Sequence, residues 1–295
     1  MPESPLHEPV LHWYAGNARD LPWRAPGTSP WAVLVSEVML QQTPVARVEP
    51  VYREWVARWP EPGDLAREPA GEAVRAWARL GYPRRALRLH SAATEVVVRH
   101  GGRLPTAYDD LLALPGVGTY TAAAVASFAY GARHAVLDTN VRRVLARAVA
   151  GRAGAAPTLT AQERRLGESL LPDEPAVAAR WGVAVMELGA IVCTARAPRC
   201  AHCPVRVGCA WQVAGRPAYD GPQRRRQGFA GTDRQVRGLL MAVLRDRPGA
   251  VPVGDLKVVW SEAEQRDRAL AGLLADGLVE RVGTSYRLPG ASADP

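Results

Sequence analysis

Four cysteines are the residues whose types and spacing point most directly to chemistry. Cys193, Cys200, Cys203 and Cys209 fall within seventeen residues in the pattern C-x6-C-x2-C-x5-C. Such small loops, in a chain without an export signal, argue against disulfides and indicate a metal site. Zinc sites usually have two separate C-x2-C pairs, whereas one uneven loop favours a cubane [4Fe-4S] cluster with one thiolate for each iron. We therefore predict an iron-sulfur site, with zinc as the alternative.

Two acidic residues are candidates for acid-base chemistry. Glu37 is the only acid in an apolar run from Val33 to Leu40. Burial there would favour the neutral, proton-donating form of its carboxyl, and the alternative is a carboxylate neutralised by an arginine. Asp138 comes just before a helix-like segment from Asn140 to Ala150, a position that by itself suits a helix N-cap.

A short turn between two helix-like segments could bind phosphate. Gly116, Val117 and Gly118 separate a helix ending near Leu114 from one beginning near Thr119. Two glycines permit a tight turn that exposes N–H groups beside a helix N-terminus, where phosphate is favoured. This is a helix-hairpin-helix signature, and it fixes position on a nucleic acid without reading its sequence.

Composition limits the class of protein. The chain has 295 residues, of which 47% are hydrophobic and 22% charged, and its net charge is +8. These values indicate a globular protein of about two domains with a possible polyanionic partner. No apolar run approaches the roughly 20 residues of a spanning helix, so we expect a cytoplasmic chain that contacts no membrane.

Helical periodicity extends to about residue 215. Apolar residues at spacings of three and four predict helices at Trp31–Leu40, Val45–Trp59, Ala73–Leu80, Ala86–Arg99 and Tyr120–Tyr130. A segment rich in Gly, Pro, Gln and Arg then suggests a linker. Beyond it we predict two helices, Val236–Arg245 and Gln265–Ala275, and a hairpin of 278–282 with 285–288. This short winged-helix-like unit either contacts DNA or only closes a small core.

The hairpin, Asp138 and the cysteine loop together resemble the helix-hairpin-helix DNA glycosylases that include endonuclease III. The strings LPWR (21–24), SEVMLQQT (36–43) and LGY (80–82) resemble the MutY branch, the adenine DNA glycosylases. The resemblance covers about residues 8–215 and implies a mainly α fold. It implies a six-helix barrel with the hairpin at 26–136, an iron-sulfur domain formed by 1–25 and 137–215, a linker at 216–231 and the winged unit at 232–290.

This resemblance implies a base-excision-repair enzyme that removes adenine mispaired with 8-oxoguanine or guanine in double-stranded DNA. We expect it to be a monomer associated with the nucleoid. Breaking the bond between adenine and its sugar requires a proton on the base and stabilisation of a cationic sugar. The resemblance assigns the proton to Glu37 and the stabilising carboxylate to Asp138. It assigns hydrogen bonding to Asn140 and a place in the pocket wall to Tyr120.

Tyr120 also predicts the product. Endonuclease III relatives use a lysine at this position to form a Schiff base with the sugar and cut the strand. A lyase of this kind needs an amine, and the only lysine here is Lys257, in the C-terminal part. We therefore predict a monofunctional glycosylase that leaves an abasic site.

The resemblance also implies a set of DNA contacts, since the base must leave the helix stack. Trp23 and Arg24 would contact the extruded adenine, and Leu40, Gln42 and Tyr82 would fill or separate the base step. The DNA backbone would be bound by Gly116, Val117, Gly118, Arg84, Arg85, Arg142 and Arg143. Without the motif, Leu40 and Tyr82 would be core residues and the arginines a solvated face.

The chain departs from the family after Gly215. Many members carry a larger, NUDIX-like domain there that recognises oxidised guanine, and too few residues remain here for it. Selectivity could come from the catalytic part, from the short unit, or be reduced. The alternatives are an endonuclease III-like enzyme for oxidised pyrimidines or T:G mismatches, and a noncatalytic iron-sulfur DNA-binding regulator.

Overall fold

The structure is a computed structural model that describes residues 4–222 and 228–290. Residues 1–3, 223–227 and 291–295 lie outside the described part, and Arg224, Arg225 and Arg226 of the predicted linker are among them. Within the described residues, no helix is long and apolar enough to cross a membrane.

Helices dominate the described chain, and the mainly α fold class is confirmed. The α-helices are α1 (His7–Asn17), α2 (Pro30–Leu40), α3 (Val45–Arg58), α4 (Pro62–Ala66), α5 (Ala70–Ala76), α6 (Arg84–His100), α7 (Tyr108–Ala113), α8 (Thr119–Tyr130), α9 (Thr139–Ala148), α10 (Ala161–Ser169), α11 (Pro175–Ile191), α12 (Ala210–Val213), α13 (Asp233–Asp246), α14 (Val253–Lys257) and α15 (Ala263–Ala275). Two 3-10 helices cover Pro22–Arg24 and Cys200–His202.

Two compact units make up the described chain, and the first contains the cysteines. It comprises the described parts of Met1–Val33, Thr106–Leu112 and Val117–Arg224. Helix α11 packs against α1, α8 and α9. Buried apolar side chains of α9 and α11, such as Leu145 and Leu188, form much of its core.

The second unit comprises the described parts of Leu34–Pro105, Ala113–Gly116 and Arg225–Pro295. Helix α6 packs against α4 and α5. The Trp55 ring meets Trp59 and Trp77 edge to face, with centroids 4.7 and 5.6 Å apart. Edge-to-face pairs of this kind stabilise aromatic cores.

The C-terminal part of the second unit has the predicted winged arrangement. Helices α13 and α15 pack together. The strands are β1 (Val251–Pro252), β2 (Glu280–Val282) and β3 (Ser285–Arg287), and they form an antiparallel sheet in the order β1-β3-β2. Helix α14 and strand β1 were not predicted, because elements of five and two residues are too short to show a period.

This C-terminal part packs against α5. Arg245 Nε donates to the Val74 carbonyl at 3.0 Å, and the Gly71 amide donates to the Pro289 carbonyl at 2.7 Å. A Cβ at Gly71 would lie 2.7 Å from that same oxygen, so the approach requires glycine. The predicted boundaries at 215 and 231 stay predictions.

Helix α5 ends earlier than the sequence predicted. The expected helix continued to Leu80, but α5 stops at Ala76. Ala78 has φ 47°, a left-handed conformation that a right-handed helix cannot contain. The chain instead turns toward Gly81, whose carbonyl accepts a hydrogen bond from Trp77 Nε1 at 3.0 Å.

Candidate functional site

Glu37 lies near the C-terminal end of α2, a helix that is apolar on almost every side. All residues from Trp31 to Met39 are buried, and Glu37 is 6% exposed. The apolar setting predicted from the sequence is confirmed. Removal from water favours the neutral form of a carboxyl group, which is the form that can donate a proton.

Asp138 is the N-cap of α9. Its Oδ1 accepts from the Val141 amide at 2.6 Å, and its Oδ2 accepts from Asn140 Nδ2 at 2.7 Å. Burial raises the pKa of Asp138, while the hydrogen bonds from Val141 and Asn140 and the charge of Arg143 act in the opposite direction. The N-cap role that the sequence allowed for Asp138 is therefore present. The same carboxylate is costly to keep ionised, because it is buried.

Arg143 connects this acid to the cysteine loop. Its Nη2 donates to Asn140 Oδ1 and to the Gly189 carbonyl, both at 2.7 Å, and its Nε donates to the Cys193 carbonyl at 2.7 Å. The sequence predicted a phosphate contact for Arg143. The structure gives its guanidinium interior partners, and these hold the amide that orients Asp138.

The hairpin contains the turn that its glycines predict. Gly116 has φ 78°, and a Cβ there would lie 2.6 Å from Arg88 Cβ. Gly118 is the N-cap of α8 and has open space around it, as an approaching phosphate requires. Val117 is buried and anchors the turn. Tyr120, in the first turn of α8, is half-buried against Ala123, Ala124 and Val136.

The three residues predicted to act on the base step belong to the second unit, one at the end of α2 and two in loops. Leu40 is the half-buried last residue of α2, and Gln42 is exposed with φ 56°. Tyr82 is 51% exposed with φ 47°. The alternative interpretation of Tyr82 as a core residue is wrong, because about half of the residue is exposed to solvent.

A cavity of about 1240 Å³, which we call the arginine groove, extends from these loops within the second unit. It is lined by Gln42, Tyr82 and Phe229 and by Arg47, Arg75, Arg79, Arg84, Arg85, Arg88, Arg234, Arg237 and Arg245. The Arg234 guanidinium lies 5.5 Å from the Tyr82 ring centroid and 5.8 Å from that of Phe229. Cations interleaved with exposed rings suit a nucleic acid strand.

Arginines predicted to contact phosphate divide into exposed and interior groups. Arg84 is exposed and pairs with Asp276 at 3.2 Å. Arg142 Nη2 instead donates to Glu163 and to the carbonyls of Ala156 and Thr158, at 2.7 to 2.8 Å. Arg85 is also interior, at 6% exposed. For these last two side chains, protein oxygens bind the terminal Nη groups that were predicted to contact phosphate.

The predicted adenine contacts Trp23 and Arg24 belong to the 3-10 turn at Pro22–Arg24. Trp23 is buried, and Arg24 Nη1 donates to Glu187 Oε2 at 2.9 Å. Arg19 donates to both oxygens of Glu187, at 2.6 and 2.8 Å. These bonds lower the pKa of Glu187 although burial opposes them. Arg24 is thus held by a buried carboxylate.

The cysteine loop carries the four predicted ligands, of which Cys209 is buried and the others are half-buried. In the part of the chain that the structure describes, no group of three or more His, Cys, Asp or Glu side chains is positioned to hold a metal ion. Burial raises the pKa of the Cys203 thiol to about 11, and the charges of the other three cysteines add to the effect. Four thiols on one loop are the type of donor set that an iron-sulfur cluster needs, and the cluster itself stays a prediction. His202, which also lies on this loop, is exposed.

Comparison with known proteins decides the family. The HhH-GPD superfamily of base excision DNA repair proteins matches residues 35–168. An adenine DNA glycosylase from Mycobacterium tuberculosis (strain CDC 1551 / Oshkosh) is 53% identical over 283 residues, which cover 95% of this chain and 92% of the relative. The chain belongs to the adenine DNA glycosylase family. The family and the enzyme class predicted from the sequence are confirmed.

Solved structures agree with the fold of this glycosylase. A thermostable thymine-DNA glycosylase matches with a TM-score of 0.62 at 28% identity, covering 70% of this chain and 94% of that one. An endonuclease III–DNA covalent intermediate matches with a TM-score of 0.59 at 21% identity, covering 70% of this chain and 95% of that one. The helix-hairpin-helix glycosylase fold is therefore confirmed.

Sequence reasoning missed two charged residues that organise this glycosylase. Glu187 is the only acid in the apolar helix α11, and the same signal had singled out Glu37. Arg147 is buried on α9, one turn after Arg143, and its Nη1 lies 3.4 Å from Cys193 Sγ. Nothing in the sequence marks Arg147, because its partners come from distant loops.

Proposed function

We propose that this glycosylase removes adenine mispaired with 8-oxoguanine or guanine from double-stranded DNA by acid-assisted hydrolysis. It acts as a monomer on nucleoid DNA and leaves an abasic site. The observation that carries the proposal is the buried acid Glu37 in a member of the adenine DNA glycosylase family.

In the proposed reaction, Glu37 gives its proton to a ring nitrogen of the extruded adenine, and the bond from the base to the sugar breaks. The electron pair leaves with the base, and the sugar becomes a cation of oxocarbenium character. Asp138 then stabilises this cation, and a water molecule adds to the sugar carbon and releases one proton to the solvent. Burial makes the Asp138 anion costly in the free enzyme. A sugar cation that forms beside this anion is therefore stabilised more strongly than it would be by a carboxylate in water.

Asn140 positions the Asp138 carboxylate, and Tyr120 forms part of the pocket wall. Trp23 and Arg24 contact the extruded base, while Leu40, Gln42 and Tyr82 occupy the step that it leaves. Gly116, Val117 and Gly118 bind the DNA backbone through their amides, and Arg84 at the start of α6 also binds a phosphate. Support comes from the exposure of Gln42, Tyr82 and Gly118 in the free protein.

The proposed enzyme has no lyase step. Strand cleavage through a Schiff base needs an amine beside the sugar, and residue 120 is a phenol. The abasic product therefore remains intact until alkali or another enzyme breaks the strand.

The cofactor of the proposal is a [4Fe-4S] cluster bound by Cys193, Cys200, Cys203 and Cys209. Its chemistry there would be to cross-link the loop through iron–thiolate bonds, in place of apolar packing. Arg196, Arg199 and Arg206 on the same loop would then be fixed in position for the DNA backbone.

A duplex panel tests the function. Purified protein is incubated with A opposite 8-oxoguanine, A opposite G, T opposite G, and thymine glycol, and each product is analysed before and after alkali. We expect breaks only after alkali, and only for the two adenine substrates. Glu37→Gln should bind the same duplexes and release no base. If only T opposite G or thymine glycol were processed, the substrate would not be adenine and the proposal would be wrong.

A further inference from the structure

Arg85 is a buried cation at the start of α6 that binds five oxygens of other segments. Its Nη1 donates to the carbonyls of Val38, Met39 and Gln41, at 2.7, 3.0 and 2.8 Å. Its Nη2 donates to Thr43 Oγ1 at 3.0 Å and to the Gly81 carbonyl at 3.1 Å. Although burial lowers the pKa of Arg85 to about 10, the side chain stays protonated at neutral pH.

The hydrogen bonds from Arg85 to Val38 and Met39 cap the C-terminal end of α2, the helix that carries Glu37. Val38 and Met39 belong to the last turn of α2, where carbonyl oxygens have no partner within the helix. A cation at this end is also favoured by the helix dipole. Arg85 therefore fixes the C-terminal end of α2 one residue beyond Glu37.

The second group fixes two strained loops. Gln42 and Tyr82 both have positive φ, a conformation that costs free energy for residues with a Cβ and persists only where the surroundings impose it. Arg85 binds the carbonyl of the residue before each of them, Gln41 and Gly81. Its guanidinium carbon also lies 5.7 Å from the Tyr82 ring centroid. One side chain thus holds both loops.

We infer that Arg85 is the positioning residue for base extrusion: it presents Gln42 and Tyr82 together, in the conformation in which they enter the base step, and ties both to the helix of Glu37. The inference rests on the proposed function, in which these two residues occupy that step. Loss of Arg85 should therefore weaken separation of a base pair more than it weakens chemistry on an adenine that has no opposing base.

Arg85→Met and Arg85→Lys test this role, because methionine removes all donors and lysine restores a single cation. Arg99→Met is the matched control, an exposed arginine on the same helix. Excision is measured under single-turnover conditions for adenine opposite 8-oxoguanine and for adenine opposite an abasic analogue. Extrusion is followed separately with 2-aminopurine in place of adenine, whose fluorescence rises as it leaves the stack.

We expect Arg85→Met to slow excision opposite 8-oxoguanine at least tenfold and excision opposite the abasic analogue less than threefold, with a smaller 2-aminopurine signal at saturating protein. Arg85→Lys should restore part of both losses, and Arg99→Met should match the wild type. Equal losses on the two duplexes, or an unchanged fluorescence rise, would overturn the inference, since a general loss of stability affects both alike.

Folding of the variants is checked by circular dichroism. If Arg85→Met does not fold, Arg85→Lys and Thr43→Val, which removes one acceptor of Arg85, carry the same comparison. If the wild type releases no adenine from either duplex, the proposed function fails, and the 2-aminopurine signal alone then decides whether Arg85 controls extrusion.

Discussion

Arg24 donates to the fully buried carboxylate of Glu187 at 2.9 Å, and Arg19 binds the same carboxylate through its side chain and its backbone amide. Two cations from the N-terminal segment are thereby attached to the central helix α11 of the first unit. The segment before Trp23 is held by charge as well as by packing, so the predicted adenine contact Arg24 depends on Glu187 for its position.

Glu187→Gln should destabilise the protein. Removing one partner of a buried ion pair leaves uncompensated charge, so we expect a loss of about 3 kcal/mol and a Tm lower by roughly 10 °C. Calorimetry measures both. Asp173→Asn is the control, because its pair with Arg133 is at the surface. If the Tm of Glu187→Gln stayed within about 1 °C of the wild-type value, the ion pairs of Glu187 would not stabilise the protein.

The same residue predicts a pH dependence. Its arginine partners lower the pKa of Glu187 in the folded chain, so its contribution to stability is present above the unfolded pKa of about 4.3. That contribution disappears as the pH falls through the lower, folded pKa. The Tm difference between the wild type and Glu187→Gln should therefore shrink on acidification, which a series of melts between neutral and acidic pH measures.

Asp138→Asn should separate activity from stability. Asparagine caps a helix as well as aspartate does, and the substitution removes a charge that burial disfavours. We expect excision to fall by at least about 100-fold while Tm stays equal or rises. Because the pKa of Asp138 is raised on folding, the ionised group lowers stability as pH rises from its unfolded pKa. The Tm gain should therefore be larger at neutral than at acidic pH, and a clear loss at neutral pH would contradict this account.

Arg147→Met should release iron. Arg147 donates to the carbonyls of Thr194 and Ala195 at 2.7 and 3.0 Å, beside Cys193 Sγ, and so shapes the start of the cysteine loop. Iron analysis and visible absorption should give about four irons per chain for the wild type and less than half of that for the variant. The exposed Arg152→Met serves as control. Stoichiometric zinc in the wild type would refute the cluster itself.

The sequence predicted features that depend on local patterns, and it missed those that depend on contacts between distant segments. The glycines of the hairpin and the lone acid of α2 are local patterns, and they predicted the turn before α8 and the apolar setting of Glu37. The cysteine spacing is also a local pattern, and the cluster that it predicts stays a prediction. Arg85 and Arg147 carry no such pattern, because a buried arginine is recognised only by oxygens that come from other segments. The hydrogen bond from Arg19 to Glu187 joins positions 168 residues apart, which no periodicity records. The phosphate contacts predicted for Arg142 and Arg143 have the same origin, because their protein partners come from other segments that the sequence does not identify.

The short C-terminal part of the second unit carries an exposed aromatic ring beside an arginine. Phe229 is 56% exposed, and Arg234 lies between its ring and that of Tyr82 in the arginine groove. If this surface contacts the DNA, Arg234→Gln should lower affinity for an adenine mispair and reduce the slope of log K against log salt by about 1. Phe229→Ala should lower affinity by roughly tenfold with little change in slope, because it removes stacking and no charge.

Fluorescence anisotropy at several salt concentrations measures both the affinity and the slope. Lys257→Gln controls for net charge, because Lys257 is an exposed cation of the same C-terminal part. Equal effects of Arg234→Gln and Lys257→Gln would assign the C-terminal part a packing role only.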